Sequence, residues 1–362
     1  MKTQFKALLF SLLLCSTGSF VAVADQEQNS YTIYVSNEKG GDISMIDGTH
    51  RNVVATIPVG KRPRGIHASP DGNYIYVALS GTPIRPPTFD AQGNPIFPKE
   101  NPEHSDHAAD GIGIVDVQQK KLLRKIVSGS DPEQFAVSRD GKHLYISNED
   151  VGTASVVNIG DGKIEHVIEV AEEPEGVALT PDGKFCYVTC ETDGEIFVID
   201  TEKNKTVAEF RVPGRPRNVA FLPDGSRAFV PSETTGTVHV INTADYKTAK
   251  IIKLPSGSRP MGTAMARNGK KLYVSNGRGG TVSVIDPVTC EVLNTIKVGK
   301  RPWGISISPD QKFLFVANGP SNDVSVIDLQ SEKEVSRIAV GDSPWGIAIL
   351  PHRSEPGALS TF

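Results

Sequence analysis

From Tyr31 onward, short apolar runs alternate with clusters of turn residues, and the pattern recurs along the chain. Each copy opens on a proline, continues through a small-residue apolar run and a turn, and enters a second apolar run. The copy Pro132-Glu-Gln-Phe-Ala-Val-Ser-Arg-Asp-Gly-Lys-His-Leu-Tyr-Ile-Ser-Asn148 shows it. Further copies start at Pro63, Pro174, Pro216, Pro260, Pro302 and Pro344. From Pro132 on, four of the five intervals are 42 residues and one is 44, whereas Pro63 precedes Pro132 by 69, an excess of 27. Within one copy the pattern predicts strands at Gly176–Thr180, Phe185–Thr189, Glu195–Asp200 and Thr206–Val212, with a turn at Pro181-Asp182-Gly183. Asp-Gly supplies the positive φ that tight hairpins need. Four short strands in roughly 40 residues read as the blade of a propeller.

The last copy keeps only an inner strand, Trp345–Leu350. Three strands without an inner partner lie at the start: Tyr31–Asn37, Asp42–Asp47 and Asn52–Val59. Joining the two ends completes a seventh blade and removes the exposed sheet edge of an open ring. The expected fold class is therefore all-β, a seven-bladed β-propeller over residues 31–351 with four strands per blade. A loop insertion falls at about 81–110, and residues 352–362 form a tail.

Tyr34-Val35-Ser36-Asn37, Tyr273-Val274-Ser275-Asn276, the Val-Ser-Val-Ile-Asp runs at Val282–Asp286 and Val324–Asp328, and the Val-Gly ends resemble the YVTN family of propeller repeats. Asn37-Glu38, Asp131-Pro132-Glu133, Asn148-Glu149, Glu173-Pro174-Glu175-Gly176 and Pro344-Trp345-Gly346 are similar to the members encoded with pyrroloquinoline-quinone-dependent alcohol catabolism. That resemblance implies a setting in quinoprotein-driven oxidation and carries no activity with it.

Lys2 and Lys6 precede an apolar run, Ala7–Leu14, and Ala22-Val23-Ala24 supplies small residues at a cleavage position. Residues 1–24 thus read as a signal peptide and place the mature chain in the periplasm or outside the cell. Leu14 stands where a small residue would precede a lipid-bearing Cys15, which counts against a lipid anchor. No stretch is long enough for a transmembrane helix. Removing the first 24 of 362 residues leaves 338 and moves the formal charge from −4 to −6, against a general nucleic-acid footprint. Cys186 and Cys190 lie four apart on one predicted strand, about 13 Å and beyond disulfide reach. Cys290 belongs to another copy, so the thiols are expected free and buried.

Blades are numbered here by their prolines, Pro63 opening blade one and Pro344 blade seven. The positions beside the proline and at the end of the second strand converge on one face. They hold Glu133, Glu149, Glu175 and Glu191 on blades two and three. Arg64, Arg215, Arg217 and Arg301 stand on blades one, four and six, with Glu233 and Glu38 on blades four and seven and both tryptophans, Trp303 and Trp345, beside the basic arc. His67 replaces the Ala or Ser of the other inner strands. Segregated charge beside exposed tryptophans predicts a docking face; arginines paired with glutamates of adjacent blades are the plainer alternative. The proline-rich insertion ends in His104-Ser-Asp106-His107-Ala-Ala-Asp110. His104, Asp106 and His107 offer ligands to a divalent metal, although their spacing matches no known ligand motif.

No haem-attachment, nucleophile-elbow, zincin or phosphate-loop motif is present. The leading expectation is a non-enzymatic binding or scaffold protein with no required cofactor, whose loop-rich face holds a periplasmic protein or a small ligand. Two rivals are a propeller enzyme of lactonase or lyase type, with His67 and the glutamates as acid–base groups, and a single-stranded nucleic acid binder stacking bases on Trp303 and Trp345.

Overall fold

The computed structural model describes residues 30–84, 88–89, 95–96 and 104–352. The expected signal peptide, most of the insertion and the end of the tail lie outside the described residues. Seven four-stranded antiparallel sheets form the blades. The third copy is strands Pro174–Leu179, Phe185–Cys190, Glu195–Asp200 and Lys205–Arg211, within a residue or two of the expectation. The two ends of the chain share the seventh sheet: Pro344–Pro351 pairs antiparallel with Tyr31–Asn37. Asp42–Asp47 and Asn52–Pro58 complete it.

The core lies between blades. On one side of the shared blade, Tyr34, Ile43, Ile57 and Ala348 pack on Ile66, Ile75, Val77 and Val115 of blade one. On its other side, Tyr31, Ile33, Val35 and Ile46 pack on Phe315, Val324, Val326 and Ile338 of blade six. Closure is thus a matter of buried apolar surface as much as of hydrogen bonds. Cys186, Cys190 and Cys290 are free and buried, and burial pushes the Cys190 thiol up to about 12.

The Tyr-Val-Ser-Asn signature has a structural cause. Its serine accepts the N–H of its own inner strand and donates to a carbonyl of the next blade: Ser36 to Arg64 (2.6 Å) and Ser275 to Trp303 (2.6 Å). Its asparagine spans to the third strand, Asn37 to Ser44 and Asn276 to Ser283, each at 2.9 Å. The glycine two residues after the proline leaves room for that carbonyl. A Cβ on Gly262 would stand 2.6 Å from the Trp303 oxygen, and one on Gly346 2.7 Å from the Arg64 oxygen. Blade four departs from the expected regularity because Pro231 occupies the serine position. Without its N–H the inner strand contracts to Ala220–Phe221, with one bridge from Pro216 to Ser232.

Candidate functional site

All seven residues that precede the blade prolines adopt positive φ: Arg62, Asp131, Glu173, Arg215, Arg259, Arg301 and Ser343, at 42–59°. This conformation costs a non-glycine residue about 1–2 kcal/mol. In six blades it turns the residue's carbonyl toward the N–H at the end of the second strand, as in Asp131 to Glu149 (3.1 Å) and Arg215 to Glu233 (3.0 Å). The charged positions before the proline and at the end of the second strand are thereby brought together.

The charges interlock. Arg64, 2% exposed, lies 3.1 Å from Glu133 and 3.2 Å from Glu149, and it pairs with Asp131, itself 1% exposed. At blades three and four, Arg217 pairs with Glu175, Glu191 and Glu233, while Arg215 reaches Glu173, Glu191 and Glu233. Arg62 meets Glu38 at 3.3 Å. The expectation of an acidic half facing a basic arc is corrected: arginine and glutamate of adjacent blades meet because blade packing sets their side chains against one another. Of the two tryptophans, Trp345 departs from the expected exposure at only 5%, whereas Trp303 is half-buried; their rings meet at a tilt of 33°, centroids 5.0 Å apart, and Arg217 and Arg301 lie over the Trp303 ring.

Within the first cluster the two glutamates diverge. Burial works against the Arg64 charge, but Asp131, Glu133 and Glu149 outweigh it and hold the guanidinium well above its ordinary value. Burial, then the Glu133 and Asp131 charges, push Glu149 well above the usual carboxylate range. Burial also opposes the Glu133 charge, but Arg64 and the hydrogen bond from Glu149 hold Glu133 below its ordinary value. The two carboxyls are thus pushed apart, Glu133 toward its ionised form and Glu149 toward its protonated one. Glu149 keeps 28% of its side chain exposed, against 7% for Glu133. It lines a cavity of about 810 Å³ between blades two and three, whose wall also includes Ser105, His107, Ser130, Asp150 and Glu172.

His67 lies in a second cavity of about 570 Å³ along the central channel, with Gln134, Asn218 and Thr263. Burial pushes His67 down to about 4, so the ring is neutral near pH 7, edge-on to Phe135 at 4.8 Å. Sequence reasoning missed Gln134 and Asn218, although a signal was present: they replace the glycine that the other five copies carry two residues after the proline. Of the insertion's candidate ligands, His104 is exposed and the other two have partners of their own. Asp106 pairs with Lys61 at 2.7 Å and His107 with Asp110 at 2.9 Å. No group of three or more His, Cys, Asp or Glu among the described residues is arranged to hold a metal ion, and among them no helix is long and apolar enough to cross a membrane.

The family described as "Lactonase, 7-bladed beta-propeller" matches residues 177–335, less than half the chain and lying in blades three to six. Antigen Lp49 of Leptospira interrogans is 27% identical over 167 residues, 40% of this chain, which spans about a third (36%) of that protein's length. Among solved structures, Kuenenia stuttgartiensis hydrazine synthase aligns with TM-score 0.69 and 23% identity, covering 82% of this chain and 92% of that one. A candidate 6-phosphogluconolactonase of Bacteroides fragilis aligns with TM-score 0.70 and 19% identity, covering 89% and 98%. A second, from Bacteroides uniformis, aligns with TM-score 0.70 and 17% identity, covering 89% and 100%. At these identities the structural likeness carries the fold alone. The family match overturns the expectation of a non-enzymatic scaffold and favours its enzymatic rival. The chain is a seven-bladed β-propeller similar, from its third to its sixth blade, to the lactonase propellers.

Proposed function

We propose that this protein is a hydrolase that opens the ester ring of a lactone, with Glu133 and Glu149 as its acid–base pair. The observation that carries the reading is Glu149, which meets buried Arg64 at 3.2 Å beside Glu133 and lines a cavity large enough for a small ring; its raised value and the lowered value of Glu133 support the two roles. Buried ion clusters add little net stability compared with apolar packing of the same volume. Carboxylates held apart in protonation mark an acid–base assignment. The lactonase match supports the reaction class, although Glu133 and Glu149 lie in blade two, outside the matched span.

In the reaction, water attacks the acyl carbon and gives its proton to the Glu133 carboxylate. The bond from the acyl carbon to the ring oxygen breaks, and Glu149 protonates that oxygen as it leaves. One water is consumed and a hydroxy acid is released; the proton then passes from Glu133 back to Glu149. Arg64 keeps Glu133 ionised before the attack and faces the negative charge that moves to Glu149 as Glu149 loses its proton. The test is acid release from a panel of neutral five- and six-membered lactones. The wild-type chain hydrolyses at least one of them and Glu149→Gln loses that turnover; no hydrolysis by the wild type removes the assignment.

A further inference from the structure

The insertion rejoins blade one through residues 104–110, and its last residue is built into the ring. The Asp110 carboxylate is 3% exposed, on a segment that turns through one 3-10 step, His107–Ala109. One of its oxygens accepts the Gly81 N–H at 2.7 Å. The other accepts the Asp131 N–H at 3.3 Å and lies 2.9 Å from His107 Nδ1. Ser130 Oγ stands 3.2 Å from the same nitrogen and donates to Asp150 at 2.9 Å. The seat is tight: a Cβ on Gly81 would fall 1.8 Å from the Asp106 carbonyl oxygen. Lys61 holds Asp106 from blade one, and Lys125 donates to the Ala108 carbonyl.

A buried carboxylate is costly unless its bonds are filled. Asp110 fills its own with two loop amides and an imidazole, and none of these belongs to its own blade's strand ladder. One amide is that of Asp131, which is left-handed at φ 48° and whose carboxylate lies on Arg64. We propose that Asp110 is a positioning residue: the insertion stem, latched by His107, holds the Asp131 loop so that Arg64 faces Glu133 and Glu149 together. The catalytic consequence rests on the lactone-hydrolase reading; the positioning itself does not.

The groups facing Glu149 are Asp131, Glu133 and Arg64 from blades one and two, adjacent Asp150, His107 of the stem, and Glu172 and Glu173 across the cavity. Burial and then the Glu133 and Asp131 charges hold its proton on. Loosening the Asp131 loop weakens the Asp131 charge and opens the site to water; both outweigh the lowering effect of Arg64 that is lost with them, so Glu149 moves toward the ordinary carboxylate range.

The experiment is a carbon-13 carboxyl titration of Glu149 in the full-length chain without substrate, the resonance assigned with Glu149→Gln. Asp110→Asn keeps the size of the side chain but offers one oxygen to two amides. It is expected to lower the Glu149 midpoint by about one unit, with a smaller fall in His107→Gln and none in Asp106→Asn, a charge loss on the exposed part of the stem. An unchanged midpoint in folded Asp110→Asn, or an equal fall in Asp106→Asn, overturns the proposal. Should Asp110→Asn fail to fold, His107→Gln decides in the same way, its ring being exposed. Because the readout is not turnover, a shifted midpoint in a protein that opens no lactone upholds the latch while the hydrolase reading falls.

Discussion

Replacing Arg64 by Met keeps the length of the side chain and removes its charge, leaving Asp131 and Glu133 buried without a counter-ion. Breaking a buried ion pair from one side costs about 3–5 kcal/mol. A Coulomb check agrees: unit charges about 4 Å apart at an effective dielectric of about 20 interact by roughly 4 kcal/mol. Unfolding entropy for the roughly 310 described residues is about 0.65 kcal/mol per kelvin, so the melting midpoint falls by about 6 °C. The sign of the pH dependence follows from Glu133. Its folded value lies below the ordinary one, so the stability it draws from Arg64 is present above the unfolded carboxylate pKa and lost as pH falls through the folded one. The deficit of Arg64→Met is therefore large at pH 7 and shrinks toward pH 3. Urea denaturation of both proteins at the two pH values measures it. A loss below about 1 kcal/mol at pH 7, or a deficit of equal size at both pH values, refutes the buried cluster as described.

Gly346→Ala places a Cβ 2.7 Å from the Arg64 carbonyl oxygen and should cost about 1–3 kcal/mol, whereas Gly319→Ala, with nothing nearer than 3.7 Å, should stay within about 0.5; paired denaturation curves compare them. Truncation before Pro344 strips the inner strand from the shared blade and bares its core, so calorimetry should show the whole domain destabilised; cooperative melting within a few degrees of the full chain contradicts ring closure. His67, held down to about 4, takes up its proton less readily folded than unfolded. Its contribution is thus complete above about pH 6.5 and declines by up to about 3 kcal/mol as pH falls toward 4, a limb that His67→Ala should flatten in denaturation at pH 7 and 4.5.

The ring was legible because its signals are local and repeated. A proline, a Pro-Asp-Gly turn and alternating apolar residues recur near a 42-residue period, and the missing strands of the last copy stand at the start of the chain. The pairing of the charges was less legible. Arg64 lies 67 residues from Asp131 and 85 from Glu149, and no local rule relates the head of one blade to the next blade's second strand. Charge type by position therefore suggested segregation where the folded ring produces pairs. The tryptophans misled for the same reason: Pro-Trp-Gly gives the packing position, but only the juxtaposition of blades six and seven shows that the indoles cover each other. Asp110 stood in the sequence only as the last residue of the insertion's His104-Ser-Asp106-His107-Ala-Ala-Asp110 end. Its role on the Asp131 amide depends on where the insertion re-enters the blade, which spacing alone does not encode.

The most direct test of the acid–base account is the pH dependence of lactone turnover in the wild type, Glu133→Gln and Glu149→Gln. Glu133 must be ionised to accept a proton, so kcat/KM falls as pH drops through its lowered value. Glu149 must be protonated to donate one, so kcat/KM falls as pH rises through its raised value. The account predicts a bell-shaped wild-type profile and a loss of about 10²–10⁴-fold in kcat in each variant, with KM changed only a few-fold. A flat wild-type profile, or turnover that survives in both variants, contradicts it.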